Sequence, residues 1–174
     1  MKPKKEFSWW GWDITWVEVI KNEVDYLELL LLGNVYSKKN SKRAFRWIVL
    51  PSVNFVEWHK RCSEDLAHHN IVLEYNEERP FTIEINSLAW NKVKWDIDNS
   101  CTSILDLLTD AGIIPDDNKF VVWNLIIDCL GYVKNLPLTQ VKIYPGPEDK
   151  WNVSTDHKEK SREELIKLAE FYFH

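Results

Sequence analysis

The sequence predicts a single α+β domain, a mixed β-sheet packed by helices. Three observations carry this. Phe81, Ile83 and Ile85 alternate with Thr82, Glu84 and Asn86, the two-residue period of a half-buried strand. Phe55, Trp58, Cys62 and Leu66 recur at helical spacing and give one apolar face. Strand-like and helix-like stretches interleave along the chain, with no internal repeat and no low-complexity segment. The 174 residues, 45% apolar and 28% charged, suffice for one hydrophobic core.

Residues 1–25 stand apart as a tryptophan-rich extension, lysine-rich at first and then carrying Trp9, Trp10, Trp12 and Trp16. Trp12, Ile14 and Trp16 alternate with Asp13 and Thr15, which fits a strand. Tyr26 to Leu32 is nearly all apolar, so it reads as a strand buried on both faces, ended by Gly33-Asn34. Residues 34–47 form a polar, basic loop, and Pro51-Ser52 opens a helix. The strand from Phe81 continues through a bend towards Trp95. Asn99 or Ser100 caps the next helix, Cys101, Ile104, Leu105 and Leu108 give its apolar face, and Gly112 terminates it. Phe120 to Cys129 and Gln140 to Tyr144 read as strands. Pro145, Gly146 and Pro147 break the sheet, and residues 146–160 form a long polar loop. Ser161 to Glu164 matches a capping box, starting a C-terminal helix packed by Leu165, Leu168, Ala169 and Tyr172.

Charge and cysteine usage narrow the function. With 22 basic and 27 acidic residues the net charge is −5, so any nucleic-acid partner needs a local basic patch. Cys62, Cys101 and Cys129 are too widely spaced for a CxxC pair, and their odd count argues against a disulfide framework; they read as reduced and partly buried, and the expected location is cytoplasmic. The lysine-rich start leads into tryptophans and charges, not the apolar run of a signal peptide. The longest apolar stretch, Leu29 to Leu32, is too short to span a membrane. The ten tryptophans fill core and interface space. His59 and the pair His68-His69 lack zinc-site spacing with cysteine partners and read as ordinary polar residues.

The chemistry concentrates in two acidic pairs, Asp96-x-Asp98-Asn99 and Asp116-Asp117, about twenty residues apart with one short amphipathic helix between them. Taken singly, each pair fits a helix cap or a turn. Taken together, carboxylates that converge repel one another unless a cation lies between them. Oxygen-only ligands suit Mg²⁺ or Mn²⁺. An EF-hand does not fit, because Cys101 and Leu107 stand where its Gly and Glu belong. Residues 37–46 hold Lys38, Lys39, Lys42, Arg43 and Arg46 and no acid, a reversal of sign in an acidic chain. Such a run is either a solvated loop or, beside a carboxylate-bound metal, a contact surface for phosphates. Ser37, Asn40 and Ser41 add neutral donors, Tyr36 and Phe45 offer stacking faces, and Lys60 and Arg61 extend the patch.

Asp96-x-Asp98-Asn99, then Ile104-Leu105-Asp106-Leu107-Leu108-Thr109, Ala111-Gly112-Ile113-Ile114 and Asp116-Asp117, together resemble the signature of the RusA family. These are Holliday junction resolvases of bacteria and prophages, acting in DNA recombination and repair. Gly33 with the basic run, and Pro51-Ser52 with Trp58, extend the likeness, which covers residues 27 to about 145. It implies a RusA-like nuclease domain over 26–145, followed by the loop and helix of 146–174. It implies that Asp96, Asp98 and Asp117 bind catalytic Mg²⁺, with Mn²⁺ able to substitute and Asp116 supporting. Asp106 matches an acidic family position with a structural role. The implied reaction is in-line phosphodiester hydrolysis on a four-way junction by a homodimer, with contacts to phosphates through Lys38, Lys39, Lys42, Arg43 and Arg46. One position departs: the family carries lysine four residues after the second motif aspartate, and this chain has Thr102. Lys94 and Lys119 are the candidates to replace it. Two rival expectations follow: a RusA-like protein that binds branched DNA without cutting it, and a protein-interaction domain with no nucleic-acid role.

Overall fold

The computed structural model describes residues 16–38, 42–45, 48–89, 97–133, 137–146 and 162–173. Ten elements follow in order: β1 Trp16–Glu23, β2 Tyr26–Leu32, β3 Lys42–Phe45, β4 Ile48–Pro51, α1 Val53–Ala67, β5 Phe81–Ala89, α2 Ile97–Asp110, β6 Val122–Tyr132, β7 Leu138–Pro145 and α3 Arg162–Phe173. Five strands make one mixed sheet in the order β1-β2-β7-β5-β6. All neighbours run antiparallel except β5 and β6, which are parallel. A parallel pair needs a crossover, and α2 supplies it. This is the α+β domain the sequence predicts.

Period-two alternation divides the sheet residues between its faces. Leu27, Leu29, Leu31, Ile83, Ile85, Val141 and Ile143 join the apolar positions of α1 and α2 in the larger core. Each side chain so buried contributes about 1.5–3 kcal/mol. On the opposite face Leu30, Leu32, Leu88 and Leu138 meet Leu165 and Ala169 of α3. Both faces of β2 are therefore buried, as its near-continuous apolar run requires. All four apolar positions expected on α1 are buried. Ser52 caps that helix, its side chain accepting the Phe55 N–H at 3.1 Å.

Several expectations are corrected. Trp16–Glu23 is an edge strand of the main sheet, paired antiparallel with β2 across a register shift between Val19 and Lys21, so residue 25 lies in the turn of a hairpin. Lys42–Phe45 pairs with β4 in a second, two-stranded sheet, where a loop was expected. Strand β5 is not half-buried: Thr82 and Asn86 are buried as well as Ile83 and Ile85, because strands flank it on both sides and both faces are covered. Helix α2 starts at Ile97, so Asn99 and Ser100 lie inside its first turns, buried, and do not cap it. β6 begins at Val122. Cys62 and Cys101 are buried and Cys129 is exposed, all three as free thiols. The bend towards Trp95, the alternation at 12–15 and most of the loop at 146–160 lie outside the described residues. No helix among the described residues is long and apolar enough to cross a membrane.

Gly112 ends α2 as the sequence predicts. Its φ is +70°. The Gly112 N–H donates to the Thr109 carbonyl at 2.9 Å, and the Ile113 N–H reaches back to Leu108, also at 2.9 Å. That pair of bonds is a Schellman motif, which turns the chain back along the helix. Replacing Gly112 by alanine meets no neighbour within 4 Å. The cost is conformational strain alone: Gly112→Ala is expected to lower stability by about 1 kcal/mol and Gly112→Asn by less, read as shifts in the urea midpoint.

Candidate metal centre and nucleic-acid interface

Burial of Cys101, Ile104, Leu105, Leu107 and Leu108 sets the rotation of α2 about its axis. Asp98, Thr102, Asp106 and Asp110, spaced four apart, consequently share the outward stripe. Asp98 lies exposed in the first turn, where the helix dipole favours a carboxylate. It pairs with no cation among the described residues. Thr102 donates its hydroxyl to the Asp98 carbonyl at 2.9 Å, so the hydroxyl is engaged by the helix backbone.

The start of the basic loop lies against this stripe. The Lys38 N–H donates to Ser103 Oγ at 3.0 Å, and Ser103 in turn donates to the Asn99 carbonyl. Lys38 Nζ pairs with Asp106 Oδ2 at 2.9 Å. Its bond to Asp106 raises the ammonium above the usual lysine range, and the charges of Asp110 and Asp117 add to that. Asp110 pairs with His59 Nε2 at 3.1 Å. His59, expected to be an ordinary polar residue, instead packs beside Phe55 and Trp58 and links α1 to α2.

Beyond Gly112, Asp116 and Asp117 stand on an exposed turn. Asp116 Oδ1 accepts the Asp117 N–H at 2.7 Å, and its Oδ2 accepts the Asn118 amide. The Asn118 amide, then the Asp117 N–H, hold the Asp116 carboxyl below the usual carboxylate range. Asn118 Oδ1 accepts from Phe120 N–H at 2.8 Å. Asp116 thus shapes the turn that presents Asp117. Lys119 is exposed, with its ammonium 5.2 Å from the centre of the Phe120 ring.

Asp96, Lys39, Arg46 and Lys94 lie outside the described residues, and Lys42 and Arg43 begin β3. Lys60 and Arg61, expected to extend the basic patch, lie 3.8 Å from Glu64 and Glu57 on their own helix. Among the described residues no group of three or more His, Cys, Asp or Glu side chains is placed to hold a metal ion. A shared cation therefore requires Asp96 to join Asp98 and Asp117. The donor chemistry, carboxylate oxygen only, fits a hard divalent ion.

A second polar group escaped sequence reasoning. Register sets Glu28 of β2, Lys142 of β7 and Glu84 of β5 side by side. Lys142 Nζ pairs with Glu84 at 2.8 Å, and the Tyr144 hydroxyl donates to Glu84 at 2.6 Å. The Gln140 amide donates to Glu28, as does the Tyr26 hydroxyl at 3.4 Å. Asn86 donates to Gln140. The signal was present as polar residues of one parity in three strands, but it becomes legible only once the pairing is known. Each member is engaged by another, so the group acts on register and stability.

A scan of the sequence against protein-family models matches none of them, and a search of curated proteins finds no match.

Two outcomes test the sheet network. Lys142→Met leaves the Glu84 carboxylate without its cation and is expected to cost about 3 kcal/mol, part of which Glu84→Gln recovers in the double variant, measured by urea denaturation. The Tyr26 phenol is pushed up from 10.0 to about 12 by burial and by Glu28, and burial and Glu84 push Tyr144 up as well. Both remain protonated in the fold where the unfolded chain ionises. The stabilisation from Tyr26 is full below pH 10 and lost as pH rises through about 12, and that from Tyr144 is lost in the same direction. The wild-type protein is expected to lose urea resistance over that window more steeply than Tyr26→Phe/Tyr144→Phe.

Proposed function

We propose that this protein is a Mg²⁺-dependent, structure-specific endonuclease of the RusA type that cuts four-way DNA junctions. The observation that carries the reading is a juxtaposition on α2. Asp98 opens its outward stripe, the chain turns at Gly112 before it reaches Asp116-Asp117, and Lys38 of the basic loop docks on that stripe at Asp106. On this reading the α2 stripe offers the carboxylate of Asp98 for a metal and, at Asp106, the anchor of a cation for a phosphate.

Asp98 and Asp117, with Asp96, would hold the ion, which lowers the pKa of a bound water and stabilises charge building on the phosphate. Asp116 keeps the second acidic turn in shape. The basic loop binds phosphates on either side of the cut, so recognition is of branched shape and not of base edges. A two-fold homodimer matches two cuts on opposite strands of a two-fold junction.

A second reading, binding of branched DNA without cleavage, is favoured by Thr102, whose hydroxyl is engaged by the helix backbone and which carries no charge. A nicking assay on a synthetic junction separates the two. With Mg²⁺ the wild-type protein is expected to cut, and Asp98→Asn or Asp117→Asn to reduce cutting roughly a hundredfold or more while leaving junction binding. Tight binding by the wild-type protein without nicking supports the second reading. In gel-shift titrations, Lys42→Ala/Arg43→Ala is expected to lower the slope of log Kd against log salt by about two. An unchanged slope removes those residues from the interface.

A further inference from the structure

Lys38 is held in a way that a general phosphate contact does not need. Its backbone N–H is fixed by Ser103, at 3.0 Å, and its ammonium by Asp106, at 2.9 Å. Both partners lie on α2, on the turns that follow Asp98. Its side chain is nevertheless 50% exposed, whereas Asp106 is 23% exposed. An ammonium has three N–H donors, so those not directed to Asp106 face solvent. The charges of Asp117 and Asp110 also act on Lys38. A long, flexible side chain has thus been tethered at both its backbone and its tip on the α2 stripe that Asp98 opens. Lys60 lies 3.8 Å from Glu64 along α1, and Lys119 rests by its neighbouring ring.

Thr102 stands between Asp98 and Asp106 on the same stripe, four residues from each. A lysine at 102 would bring an ammonium to the stretch of surface that Lys38 reaches from the loop.

We infer that Lys38 is the residue whose positive charge meets the scissile phosphate in this protein, and that Asp106 and Ser103 are the positioning residues that hold it there. This rests on the nuclease reading. Lys38 forms no bond and exchanges no proton in the reaction. It pairs with a non-bridging phosphate oxygen as negative charge grows there, an interaction stronger in the transition state than in the bound substrate. The loop that carries it, rather than α2 itself, then links junction binding to cleavage.

The test uses the full-length protein, a synthetic four-way junction with Mg²⁺, and the variants Lys38→Met, Lys38→Arg, Asp106→Asn and Lys38→Met/Thr102→Lys, each checked for unchanged melting temperature. Lys38→Met is expected to lower kcat by about a hundredfold and to change KM by less than about threefold. Lys38→Arg keeps part of the rate. Asp106→Asn lowers kcat less than Lys38→Met does, and the double variant regains at least about tenfold over Lys38→Met. Titration with Mn²⁺ alone gives an independent readout. Removing a cation beside the carboxylates is expected to tighten Mn²⁺ binding roughly fivefold, a gain that Asp98→Asn abolishes. Wild-type cutting that survives Lys38→Met overturns the role of Lys38 and leaves the nuclease reading standing. So does a loss confined to KM, a failure of Thr102→Lys to restore rate, or an unchanged Mn²⁺ affinity. A wild-type protein that does not cut overturns both.

Discussion

Helix α2 has one workable rotation about its axis, and the candidate site follows from that constraint. It carries five buried apolar side chains, and Asn99, Ser100 and Ser103 are enclosed with them. Turning the helix by a residue or two would expose part of that face, at about 1.5–3 kcal/mol for each large side chain. The outward stripe is therefore what remains: Asp98, Thr102, Asp106 and Asp110. Gly112 then sets where the helix stops and turns the chain that leads to Asp116-Asp117. An acidic stripe of this kind repels itself unless cations come to it. One comes from another element, Lys38 to Asp106, and the His59 ring meets Asp110 from α1. Asp98, at the end of the stripe, has no such partner among the described residues.

The sheet solves a comparable problem by other means. Its second face is apolar where α3 lies on it and polar beyond, where Glu28, Lys142 and Glu84 stand abreast. An ion pair in this position contributes less to net stability than to the choice of register, because a slip by one residue would separate the charges and reverse the faces. Fixed register in β5 in turn places the strand that precedes the crossover helix. The two polar groups on the domain thus have different characters. The sheet network is closed on itself, while the α2 stripe is exposed and meets a basic loop.

Much of this was legible in the sequence, for identifiable reasons. A near-continuous apolar run marked β2, strong periodicity marked β5 and the apolar face of α1, and glycine marked the end of α2. What escaped depends on contacts distant along the chain. β1 mixes Glu18, Lys21 and Glu23 with its apolar residues, so its edge position shows only in the pairing with β2. The β3–β4 hairpin is hidden by a basic composition that reads equally well as loop. Asn99 looked like a cap because capping residues are polar, yet two preceding residues already continue the helix. At the site, the sequence pattern selected Asp98 and Asp117 and treated Lys38 as one of a basic run. Its particular tie to Asp106 and Ser103 spans more than sixty residues and has no local signature.

The central claim is that aspartates from the start of α2 and from the turn after it share one divalent ion. Anomalous diffraction from crystals soaked in MnCl₂ tests it directly. The account predicts a single strong peak ligated by Asp96, Asp98 and Asp117, with carboxylate oxygens from both sequence regions within about 4.2 Å of one another. Absence of a peak, with those oxygens turned apart beyond that span, would contradict it.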